Sequence, residues 1–143
     1  MAPLRMEMAA DQRRARPLPR VSPQGLAFLD CLRVTSMACR AKPRADLFEA
    51  CALLHATRSA SVSAHAEALM RCLNQALRKH PRLHAPGTDE MTFDEKWLVQ
   101  LGQANVRDDD ASMAFLLQSR IVPEHQRLIK FLIGRISESF ALV

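Results

Sequence analysis

The sequence predicts an all-α protein, a compact bundle or array of five to six short helices behind a disordered basic tail. Three observations carry that prediction. Ala, Leu, Met, Arg and Gln, all good helix formers, dominate a chain of 143 residues. Aromatic residues make up only 5% and tyrosine is absent, where a β-sandwich or barrel would need aromatic and β-branched side chains. Only four glycines are present, too few for the turns of a many-stranded fold. The length suits one domain, taken as residues 22–143 after a tail at 1–21.

The tail contains Pro3, Pro17 and Pro19 and lacks apolar periodicity, so no helix is expected there. Ser22-Pro23 then reads as an N-cap followed by proline at the first helical position. A first helix over about 23–41 follows, with Leu29, Leu32, Ser36 and Met37 in one stripe, and Lys42-Pro43 ends it. Asp46 with Glu49 three residues on has capping-box geometry and opens a second helix, 46–58, whose apolar side holds Leu47, Phe48, Cys51 and Leu54. The stretch Ser59–Ser63 reads as a short polar break. A third helix, 62–79 or 80, carries Val62, Ala66, Leu69, Met70, Leu73, Ala76 and Leu77 at helical spacing and stops at His80-Pro81. The short break predicts an antiparallel pairing of helices two and three.

Residues 81–91, with Pro81, Pro86 and Gly87, form the longest irregular segment of the body. Thr92 and Glu95 form a second capping-box pattern and start a fourth helix bearing Phe93, Trp97, Leu98, Leu101 and Ala104. Asp110 is placed as the cap of a short fifth helix with Met113, Phe115, Leu116 and Leu117, which Ile121-Val122-Pro123 ends. The sixth helix, from Pro123, presents Leu128, Ile129, Leu132, Ile133, Ile136 and Phe140. Each apolar stripe covers about a third of its helix, so the helices need one another to hide it.

Charge is uneven. The formal net charge is +5, and the first twenty residues contribute +3 of it, with Arg5, Arg13, Arg14, Arg16 and Arg20 against Glu7 and Asp11. Such an arm attracts phosphates or acidic surfaces, or simply solubilises the chain. The Arg-rich start resembles a transit peptide in composition, but its acids and prolines argue against one, and no apolar segment there suits a secretory signal. No apolar run reaches the length of a membrane helix, so no membrane role is expected. Four cysteines in a chain with enough apolar residues for its own core read as thiols in a reducing cytoplasm.

The candidate chemistry is sparse. Cys51 with His55, and His65 with Cys72, lie on single helix faces and would make a Cys₂His₂ set if the two helices paired. The close CxxC or HxxxH spacing of zinc sites is missing, and packing thiols are the simpler reading, so no metal and no cofactor is expected. The acids Asp89, Glu90, Asp94, Glu95 and Asp108–Asp110 match helix caps better than a cation loop. No GxxxxGK[ST] or GxGxxG occurs. The expected function is therefore non-catalytic: a cytoplasmic interaction or regulatory module that binds a partner protein, or a second copy of itself, through an apolar helical face. Phe93, Trp97, Met113, Phe115 and Leu116 are the candidate contact residues. The alternative is a nucleic-acid-binding protein using Arg13, Arg14, Arg16 and Arg20 of the arm with Arg71 and Arg78 of the third helix.

Overall fold

A computed structural model describes residues 21–41 and 58–142. These form five helices: α1 (Pro23–Ala41), α2 (Arg58–Leu77), α3 (Phe93–Val106), α4 (Asp110–Arg120) and α5 (Pro123–Ser139). No strand occurs among the described residues. The helix expected at 46–58, except Arg58, and the tail, except Val21, lie outside them, as do Arg13, Arg14, Arg16, Arg20, Cys51 and His55.

α1 begins where the Ser-Pro pair places it, and Ser22 Oγ accepts the Gly25 amide at 3.0 Å. α2 begins earlier than expected. Ser59–Ser63 is not a break but part of its first turns, because alanine alternates with serine there and serine costs a helix only a few tenths of a kcal/mol per residue. α2 also ends at Leu77, short of Pro81, with Arg78 in the left-handed region at φ 57. α3 carries the full capping box: Glu95 N donates to Thr92 Oγ1 at 3.0 Å, and Thr92 N donates to Glu95 Oε1 at 2.9 Å. α4 corrects the expected cap by one residue. Asp109 caps it, accepting the Ser112 amide, while Asp110 is its first residue. α5 starts at Pro123, in the position where a missing N–H costs nothing.

α5 is the central element and packs against α2, α3 and α4, while α1 closes the other side against α2 and α3. The core joins Phe28, Leu29 and Leu32 of α1 to Leu69 and Leu73 of α2, Leu98 and Leu101 of α3, and Ile129, Ile133 and Ile136 of α5, all fully buried. Burying one such side chain contributes about 1.5–3 kcal/mol. α3 and α5 approach closely because Gly102 and Gly134 face the contact. A Cβ on Gly102 would lie 2.6 Å from Leu142 Cδ1, and one on Gly134 would lie 2.9 Å from Asn105 Oδ1.

Candidate functional site

Two polar assemblies fix the region around the N-terminus of α3. The first is centred on Arg33. Its position on the α1 stripe, one turn beyond Leu29, carries its side chain into the interior, where it is fully buried. Nε donates to Glu95 Oε2 at 2.6 Å, Nη1 to Asp30 Oδ1 and to Thr88 O at 2.9 Å each, and Nη2 to Glu90 O at 3.2 Å. Burial pulls the guanidinium pKa down, but the hydrogen bonds and charges of Glu95 and Asp30 outweigh that and raise it. Glu95 Oε2 also accepts the His84 amide, and Asp30 Oδ1 accepts the Gly87 amide. One buried ion pair thus ties α1, the 78–92 connection and α3 together.

The second assembly is less deeply buried. Arg120, from the end of α4, donates to Asp94 Oδ1 at 2.7 Å, and Asp94 Oδ2 accepts the Arg82 amide. The same guanidinium lies 4.7 Å from the Trp97 ring centroid and 5.3 Å from that of Phe93. Its Nη1 has no hydrogen-bond partner, so aromatic faces take the place of one. Trp97 Nε1 donates to Leu116 O at 2.9 Å, locking α3 onto α4.

These contacts sort the candidate contact residues. Trp97 and Met113 are buried in the core at 4% and 2% exposure, because each sits on the side of its helix that meets a neighbour. Leu116 is half-buried. Phe93 and Phe115 remain 74% and 71% exposed, the two most exposed large apolar side chains described. Phe115 and Leu116 line an open groove of about 550 Å³ between α3 and α4, with Gln100, Gln103, Ala104, Arg107, Asp109, Ala111 and Ser112 completing it. Arg120 bridges the Phe93 and Trp97 rings, and Trp97 is tied in turn to Leu116, beside Phe115.

The candidate nucleic-acid residues within the described region divide as well. Arg71 is largely buried and pairs with Glu67 at 2.9 Å, and Arg78 is exposed beyond the end of α2. Of the candidate ligand set, His65 and Cys72 are both buried on α2, and the His65 ring lies 6.0 Å from that of Phe131. Among the described residues, no group of three His, Cys, Asp or Glu is placed to hold a metal ion. Burial raises the thiol pKa of Cys31, against a smaller opposing effect of its hydrogen bond to Thr35, and burial likewise raises that of Cys39 against the charge of Arg71. Glu95, Asp94 and Asp109 all serve caps or ion pairs, as their positions at helix starts suggested. The sequence reading missed Arg33 and Arg120. Arg33 left one signal, its place on an apolar stripe; Arg120 left none.

No described helix is long and apolar enough to cross a membrane. No family model matches the chain, and neither a curated protein nor a solved structure is similar to it.

Proposed function

We propose that the protein is a non-catalytic interaction module that receives a partner protein, or a second copy of itself, along the α3–α4 edge. The observation that carries this reading is the pair Phe93 and Phe115. Each is more than 70% exposed, and each borders a rigid support. Behind Phe93 stand Arg120 and Trp97; beside Phe115 runs the α3–α4 groove. Scattered apolar side chains are normal on a surface, but Phe115 and Arg107 both line a preformed depression, and Phe and Arg are enriched at interfaces. The groove runs between two helices and offers apolar Ala104, Ala111 and Leu116 with a polar rim, which suits an amphipathic segment. A cytoplasmic setting is part of the proposal and rests on the half-buried thiols of Cys31 and Cys39 and the buried thiol of Cys72, none of them in a disulfide.

Site-specific photocrosslinking tests it. A benzoylphenylalanine replacing Phe115 or Phe93 should give one discrete adduct in the native cell, and replacing exposed Ser139 should give none. Sedimentation of the purified chain over a hundredfold concentration range then separates self-association from a foreign partner. A monomer without adducts at either position contradicts the reading. The alternative, nucleic-acid binding through the arm and residues 62–79, is favoured instead if affinity falls steeply with salt and is lost when residues 1–20 are removed.

A further inference from the structure

The outer face of α5 carries a second, independent feature. Arg127, Lys130 and Arg135 are all exposed, and none of their side chains makes an ion pair or hydrogen bond with another described residue. Two shallow grooves run along this face and meet at Arg127 and Lys130. One, of about 310 Å³, adds Asn105, Phe131, Gly134 and Arg135; the other, of about 330 Å³, adds Met113, Leu117 and Pro123. Each groove also includes one acid, Glu138 in the first and Asp110 in the second. Phe131 stands among the cations, 52% exposed, with its ring steadied by His65. Gly134 leaves the groove floor without a side chain.

The geometry points to this face as a binding track for single-stranded nucleic acid, with Arg127, Lys130 and Arg135 on successive phosphates and Phe131 as the platform for one base. Two connected grooves fit an extended ligand better than a compact one. Unpaired cations around an exposed aromatic ring are what a sequence-tolerant single-strand binder needs, since every base has a face that can stack. A duplex fits poorly. Entry into the major groove requires a helix that protrudes, and α5 is held on its other sides by α2, α3 and α4. The track is separate from the α3–α4 edge, so its failure would leave the proposed docking reading standing.

Fluorescence anisotropy of the full chain with a labelled dodecamer of deoxythymidine tests it, beside a duplex of mixed sequence and vesicles containing a quarter phosphatidylserine. The triple variant carries Arg127→Gln, Lys130→Gln and Arg135→Gln together. Its slope of log affinity against log salt should be shallower than that of the wild type by about 2, at about 0.7 per phosphate. The wild type should therefore lose about twentyfold more affinity than the variant between 50 and 200 mM salt. Phe131→Leu, which keeps an apolar contact for His65, should weaken binding about fivefold or more. Arg107→Gln, on the opposite side of α4, should change neither. Circular dichroism of each variant should match the wild type, since all the altered positions are exposed. Unchanged binding by the triple variant, as arm-driven binding would give, overturns the assignment. So does duplex bound as tightly as the single strand, an unaffected Phe131→Leu, or binding to the vesicles alone.

Discussion

Arg33 shows how one side chain organises a region with no regular structure. Its charge is buried, four acceptors from two helices and a loop gather around it, and the His84 amide donates to its carboxylate partner. Arg33→Met would strand the Glu95 carboxylate in the interior, a change that typically costs about 3–5 kcal/mol. Urea unfolding should show that loss, and adding Glu95→Gln should restore part of it, because the neutral amide leaves no stranded charge and its single oxygen still accepts from one of the two amides, Thr92 or His84. A loss below 1 kcal/mol would mean the pair is incidental. Asp109 gives a pH-dependent counterpart. Its hydrogen bonds from the Ser112 hydroxyl and amide hold its carboxyl below the ordinary value of 3.8. A lowered folded-state pKa adds stability that is present above 3.8 and is lost as pH falls through the folded value. Amide exchange at the start of α4 should therefore accelerate only below about pH 4, and Asp109→Asn should abolish that dependence.

At the scale of elements, helix ends and helix contacts answer to different information. Ser22-Pro23, Thr92 with Glu95, and Pro123 mark starts by local chemistry, so α1, α3 and α5 were legible residue by residue. The start of α2 was not, because serine is tolerated inside a helix when alanine surrounds it. Its end was also obscure, since Arg78 takes a left-handed conformation that sequence favours for glycine. Arg78→Gly should relieve that strain and raise stability by about 1 kcal/mol in thermal unfolding. Gly102 argues the reverse. Valine there would press on Leu142 and Ser137 and should cost about 1–3 kcal/mol. The candidate site was legible in part. Phe93, Trp97 and Phe115 could be named from their spacing, but which of them turns outward depends on how α3 meets α4. That meeting is set by Trp97 on Leu116 and Arg120 on Asp94, pairings 19 residues apart or more that no local pattern records.

For the molecule as a whole, the bundle gives two unlike surfaces on either side of α4: an aromatic edge toward α3 and a cationic track along α5. The fold class followed from composition and periodicity, whereas the packing order around α5 depends on glycine contacts and ion pairs between distant residues. The most direct test of the docking edge uses benzoylphenylalanine at position 93 in a chain that also carries Phe115→Ser. Because Phe115 is mostly exposed, this change should leave thermal stability within about 0.5 kcal/mol of the parent. The account predicts that the adduct formed at position 93 disappears while the fold persists. An undiminished adduct, or a chain that unfolds, would contradict it.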